Sequence, residues 1–197
     1  MKALLALSRA IDGLNQRIGK LAGWLVLAAV LVSAGNSVVR KVFDTSSNAF
    51  LEAQWYMFAT LFLLCGAYTL LKQEHVRIDV IYLRFSRRTQ VGIDIFGTVL
   101  FLLPMCLLMF YLCWPYFTNA FISGETSANA GGLIQWPVKM MMPLGFALLA
   151  VQGVSEIIKR IAWLKGMAPD PGIKEHDKPV ELELAEAIIT QRAVPKQ

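Results

Sequence analysis

Four apolar runs, at residues 21–39, 53–71, 95–117 and roughly 140–155, dominate this chain, and none has a charged residue in its interior. A helix needs ~20 predominantly apolar residues to cross the hydrocarbon core of a bilayer, and each run approaches or exceeds that length. Transmembrane strands would be shorter and would alternate apolar with polar residues, whereas these runs are continuous. The expected fold is an all-α membrane protein with four transmembrane helices, over about 19–40, 51–72, 92–117 and 137–163. The same feature narrows function. Driving ions or protons through a bilayer usually needs ionisable groups at mid-depth, so the chain reads as one that sits in a membrane and holds something.

Composition agrees: 56% of residues are hydrophobic and 17% are charged, against ~25% charged in a typical soluble domain. The net charge of +5 does not point to nucleic acid, because the basic residues flank the apolar runs instead of forming one face. Lys2, Arg9, Arg17, Lys20, Lys72, Arg77, Arg84, Arg87, Arg88, Lys159, Arg160 and Lys165 fall on one side, and only Arg40, Lys41 and Lys139 on the other. By the positive-inside rule, both termini are expected in the cytoplasm. Val32, Ser33 and Ala34 imitate a signal-peptidase site. The apolar run continues to Val39, however, and about 20 residues precede it, so the segment reads as a span and not a leader.

Outside the spans, the first 18 residues place Leu4, Leu7, Ile11, Leu14 and Ile18 at spacings of 3 and 4, one helical face. Such an arm either lies in the membrane interface or extends span one into the cytoplasm. Gly19 and Gly23 form a GxxxG that allows close helix approach. Asn48 is positioned to cap span two. Segment 72–90 places Ile78, Ile81, Tyr82 and Phe85 on one face and is expected to form a cytoplasmic interfacial helix anchored by basic residues. Pro104 predicts a kink in span three, and Trp136-Pro137 starts span four with proline in the first turn. Lys139 is placed to snorkel toward headgroups. Residues 165–197 read as a partly disordered cytoplasmic tail with a short amphipathic stretch at 181–189.

Little here suggests catalysis. Cys65, Cys106 and Cys113 lie inside spans, where small apolar core roles fit. Both histidines, His75 and His176, lie outside them, and no phosphate loop, metal-ligand spacing or Ser/His/Asp pattern stands out. No catalytic, metal or cofactor-binding residues are expected. The acids nearest the spans, Glu52 and Glu156, sit at span ends. They are expected to pair with a partner's arginine or with backbone N–H groups, because polar groups at a lipid-buried helix end must find partners.

Three segments carry a family resemblance over about residues 18–164. They are Asn48-Ala-Phe-Leu-Glu52-Ala-Gln54-Trp55-Tyr56; Gly66-Ala67-Tyr68-Thr69-Leu70 followed by His75-Val76-Arg77-Ile78-Asp79-Val80; and Asn129-Ala-Gly131-Gly132, Trp136-Pro137-x-Lys139, Pro143-Leu-Gly145 and Gln152-Gly153-x-x-Glu156. Together they resemble the small membrane subunit of tripartite ATP-independent periplasmic (TRAP) transporters, in the branch labelled mannitol/chloroaromatic. The resemblance implies a sodium-driven uptake system for organic acids in a bacterial inner membrane. In it a periplasmic protein captures substrate, a large multi-span elevator subunit carries the substrate and sodium sites, and the small subunit extends the scaffold and helps dock the periplasmic protein. The residues expected to make partner contacts are Glu52, Gln54, Trp55, Tyr56, Asn129, Trp136, Lys139, Gln152 and Glu156, with membrane lipids around the bundle. His75, Arg77 and Asp79 are expected to order the cytoplasmic interfacial helix. The competing reading is a self-contained four-helix homo-oligomeric transporter or channel.

Overall fold

A computed structural model describes residues 2–44, 47–74 and 84–169. It contains α1 (Lys2–Phe43), α2 (Asn48–Leu71), α3 (Arg87–Gly97), a π-helical turn (Thr98–Leu102), α4 (Leu103–Ser123) and α5 (Trp136–Leu164). Helix α3, the π turn and α4 run on as one segment from Arg87 to Ser123, which gives four helices long and apolar enough to cross a membrane. The all-α, four-span expectation holds. Helix α1 is unbroken over 42 residues, about 63 Å at ~1.5 Å per residue, so the N-terminal arm and the first apolar run form one continuous helix. Residues 75–83 of the expected interfacial segment 72–90, with His75, Arg77 and Asp79, lie outside the described residues, as do residues 170–197. At its far edge, Ser86 caps α3 by accepting from the Thr89 N–H.

Helix α5 is the hub. It packs on α1, α2 and α4, and α1 also packs on α2. A third (33%) of its apolar window is buried inside the bundle, against 11% or less in the other three. Glycines make this closeness possible. A Cβ on Gly145 would stand 2.7 Å from the Leu63 carbonyl oxygen of α2, one on Gly153 would stand 2.8 Å from Leu102, and one on Gly19 would meet the Tyr68 ring at 2.4 Å. Of the Gly19/Gly23 pair, only Gly19 is at a contact. Gly23 has no atom within 4 Å of that position, so the GxxxG works as a single notch.

The irregularity expected at Pro104 takes the form of the π turn that precedes it. Proline has no N–H to give the carbonyl four residues back, and its ring crowds that carbonyl. The backbone N–H of Leu103 bonds the Thr98 carbonyl instead, one residue wider than in an α-helix. Gly153 receives this widened turn, since Leu102, Leu103 and Thr98 are what its Cβ would meet.

The outward faces of all four spans are apolar. Trp24, Phe62 and Tyr111 are largely exposed, as expected of side chains that meet lipid or another membrane protein. The pattern along α1 is the reverse of a soluble helix: Ser8, Asn15, Gly19, Ala22 and Ala29 are buried, while Leu4, Leu7, Leu14 and Leu21 are exposed. Inside a membrane, small and polar residues make the helix contacts, because lipid is as apolar as leucine.

Gly145→Ala is therefore expected to lower stability by about 1–3 kcal/mol, the usual cost of overpacking, read as a drop in the thermal midpoint of the purified chain in mild detergent. Gly66→Ala should leave the midpoint unchanged, since nothing lies within 4 Å of a Cβ there.

Candidate functional site

The polar side chains of this bundle gather in two networks, one at the end carrying the N-terminus and the close of α5 (the terminal end), the other at the end carrying the α1–α2 and α4–α5 connections (the loop end). At the terminal end, α5 presents Gln152, Ser155, Glu156, Lys159 and Arg160 along one side. Gln152 is fully buried. Its Oε1 accepts from Asn15 Nδ2 at 2.7 Å, and its Nε2 donates to Asp12 Oδ1 at 2.9 Å and to Glu156 Oε1 at 3.2 Å. Because two carboxylates can only accept, they fix which way this amide points. Ser155 donates to Asp12 at 2.8 Å and shares a 2.7 Å bond with Ser8.

Glu156, 1% exposed, joins the helices. It pairs with Lys159, with Arg160 Nη1 at 2.8 Å and with the Gln73 amide at 2.9 Å. Arg160 reaches Asp94 of α3 at 3.2 Å and Gln73, just past α2, at 3.2 Å, while Lys159 closes on Asp12 of α1 at 3.1 Å. One ionic cluster thus ties α1, α3 and α5 and the end of α2. Among the described residues, Asn15 Oδ1 is the one buried side-chain polar atom with no hydrogen-bond partner.

At the loop end the centre is Glu52, in the second turn of α2 and 5% exposed. Its carboxylate accepts from the Ser127 hydroxyl, from Asn129 Nδ2 at 2.8 Å and from the Leu133 backbone N–H at 2.7 Å. Those three donors lie on the connection between α4 and α5, which folds back as a small hairpin: Thr126 pairs with Ile134, Ser127 N bonds Leu133 O at 3.0 Å, and Gln135 N bonds Glu125 O at 2.9 Å. Asn48 does not cap α2. The N-cap position belongs to Ser47, without a side-chain bond, and Asn48 donates to the Ala130 carbonyl of the hairpin at 3.2 Å. Lys139 is 5% exposed and does not snorkel. It pairs with Glu125 at 2.5 Å and stands 4.3 Å over the Tyr116 ring.

The residues singled out in the sequence divide accordingly. Glu52, Asn129 and Lys139 come together at the loop end, beside a cavity of about 230 Å³ that Trp55 and Tyr56 also line. Gln54, two positions beyond Glu52, is half-buried. Trp136 stacks edge-on against Phe121 at 5.4 Å, and Trp55 is 68% exposed. Gln152 and Glu156 meet at the terminal end. Ser8, Asp12, Asn15, Asp94, Ser127, Ser155 and Arg160 were missed. The signal for four α1 positions was present: Ser8, Asp12, Asn15 and Gly19 repeat at 4, 3 and 4, a second stripe beside the leucine stripe.

The spacing of the networks matters. Lys139 and Glu156 are 17 positions apart on α5, about 26 Å by its rise, slightly less than the ~30 Å hydrocarbon core. Both networks therefore reach the edge of the apolar layer, where a charge must be paired, and no charged residue lies on α5 between them. Such a bundle is a multi-pass membrane scaffold. Residues 29–162 match the family model described as tripartite ATP-independent periplasmic transporters, DctQ component, and the chain belongs to that family: it is the small membrane subunit of a TRAP transporter, a transporter component of the bacterial inner membrane and not an enzyme. No curated protein matches the chain.

Removing one partner from the terminal-end cluster should be severe. Glu156→Ala leaves two cations facing a buried site and is expected to cost about 3–5 kcal/mol, measured by thermal unfolding in detergent. Pairing it with Arg160→Leu should recover part of that loss, because the uncompensated charge is then removed as well.

Proposed function

We propose that this subunit extends the scaffold of a large elevator-type membrane subunit in a sodium-driven uptake system for organic acids, and that its loop end helps dock the soluble substrate-binding protein. The observation that carries the reading is the withdrawal of every charged group of α5 into two internally paired networks. The middle of the helix has no ionisable group to bind or pass an ion, and the flanks left open are apolar. An open groove along α2 and α5, lined by Phe58, Phe62, Gly66 and Phe146, is one such flank. Apolar flanks of this kind suit lateral packing against another membrane protein. The unequal distribution of Lys and Arg supports an orientation with both termini in the cytoplasm, which turns the hairpin at 125–135 toward the periplasm.

On this reading the candidate residues take different roles. Trp55 is exposed at the loop end and is the anchor or contact. Glu52 and Lys139 are buried, so they act by positioning: Glu52 pins the hairpin that carries Asn129, and Lys139 holds Glu125 at its base. Gln152 and Glu156 set the terminal ends of α1 and α5 relative to one another.

Affinity purification of the tagged chain in mild detergent should recover a much larger multi-span protein, and repeated recovery of the chain alone would contradict the proposal. Glu52→Gln and Glu156→Gln should each reduce the amount of complex severalfold while the complex that still forms keeps its sodium coupling. Full assembly with lost coupling would place these residues in the transport chemistry instead.

A further inference from the structure

The two buried acids of the bundle, Glu52 and Glu156, are neutralised differently. Glu156 touches two cations, Lys159 and Arg160. The three groups bonded to Glu52 are all neutral: the Ser127 hydroxyl, the Asn129 amide and the Leu133 N–H. Among the described residues no lysine or arginine forms an ion pair with it. A buried charge is normally paired, most of all beside the apolar layer. Lys139 lines the same cavity as Glu52, but its ammonium pairs with Glu125 and stands over the Tyr116 ring. Glu52, Glu125 and Lys139 together leave one negative charge in excess. Glu52 also keeps acceptor capacity. A carboxylate offers about four lone-pair sites. Ser127 and Asn129 take two on Oε1, and Leu133 takes one on Oε2, so Oε2 has room for one more N–H.

The cavity, about 230 Å³, is graded from polar to apolar. Ser127 and Asn129 of the hairpin line it together with Glu52. Helices α2 and α5 both run inward from the loop end. Trp55 and Tyr56, three and four positions past Glu52, and Met142, three past Lys139, therefore lie about one turn deeper. Spare acceptor and excess negative charge sit outermost, with aromatic and aliphatic walls beneath. Aromatic faces attract an ammonium group, and Trp55 is exposed to offer one. A bare metal ion suits the space poorly. The volume is many times that of an ion, and no group of three His, Cys, Asp or Glu able to hold a metal occurs among the described residues. A phospholipid with an ethanolamine headgroup follows the order of the cavity: a primary ammonium with N–H donors outermost, and acyl chains toward the bilayer centre.

We propose that this cavity binds an ethanolamine phospholipid, with the ammonium on Glu52 Oε2 and against Trp55, and the start of one acyl chain beside Tyr56 and Met142. The lipid supplies the cation that the chain itself does not bring to Glu52. Because Glu52 also holds the hairpin at 125–135, the bound headgroup steadies the loop end. The site is built from this chain alone and does not depend on the transport reading.

Native mass spectrometry tests the site, on the full-length chain stripped of lipid in mild detergent and titrated with dioleoylphosphatidylethanolamine or dioleoylphosphatidylglycerol. One ethanolamine lipid per chain is expected to bind roughly fivefold more tightly than the glycerol lipid, the scale of a single partly exposed ammonium contact. Glu52→Gln should abolish that preference while the glycerol lipid binds as before. Trp55→Ala, at an exposed position, should reduce the preference at least twofold. Equal binding of the two lipids by the unaltered chain, or a preference that survives either substitution, would overturn the proposal. So would carbodiimide coupling of Glu52 to a lysine of the large subunit or of the binding protein in the assembled complex, which would assign the cavity to a protein cation.

Discussion

A charged side chain at the edge of the hydrocarbon layer must be paired, and in this protein the partners come from its own chain. That constraint organises the fold. Glu156 is buried with Lys159, Arg160 and Gln73 around it, and Glu52 is buried with three donors from a single hairpin. Each cluster joins segments far apart in sequence, so the requirement to neutralise charge is met by bringing helices together. Exposed ion pairs contribute little to stability. Buried ones are costly to break from one side, which is why these clusters fix geometry even where their net contribution is small.

Between the clusters, close packing takes over. Three glycines, Gly19, Gly145 and Gly153, let α1, α2 and the π turn before α4 approach within distances that a Cβ would block. Helix α5 supplies two of those glycines and five members of the terminal-end network, and so works as the hub. The π turn shows how packing and backbone chemistry meet. Pro104 forces a wider turn, and Gly153 leaves the space for it. The apolar residues have the opposite placement from a soluble protein, filling the outward faces of the spans while small and polar residues hold the inside.

Much of this was legible in the sequence. Uninterrupted apolar runs give four membrane helices because length and continuity are all that a bilayer demands of a span. Glu52 and Glu156 stand out because an acid beside a span must be explained. The networks themselves were harder to read. Gln152 and Glu156 share a face by their spacing of four, but their partners Asp12, Asn15, Asp94 and Gln73 are distant in sequence, and only helix packing brings them near. The Leu4, Leu7, Ile11, Leu14, Ile18 stripe marks the outward side of α1 and leaves its packing face unread. Apolar periodicity marks the buried face in water, whereas within a membrane assembly the parallel stripe of Ser8, Asp12, Asn15 and Gly19 is the informative one. Asn48 and Lys139 were misjudged for a similar reason. Each has a locally sensible role, a cap or a headgroup contact, but the hairpin at 125–135 offers stronger partners that no local rule reveals.

On the proposed reading, ion and substrate chemistry lies outside this chain, because the charges of α5 are paired within it at two levels about 26 Å apart. Reconstitution into proteoliposomes with an imposed sodium gradient tests this most directly, comparing the purified chain alone with the chain assembled with its large subunit and supplied with the binding protein and substrate. The account predicts no substrate uptake from the chain alone and sodium-dependent uptake from the assembled system. Substrate flux through the chain alone would contradict it.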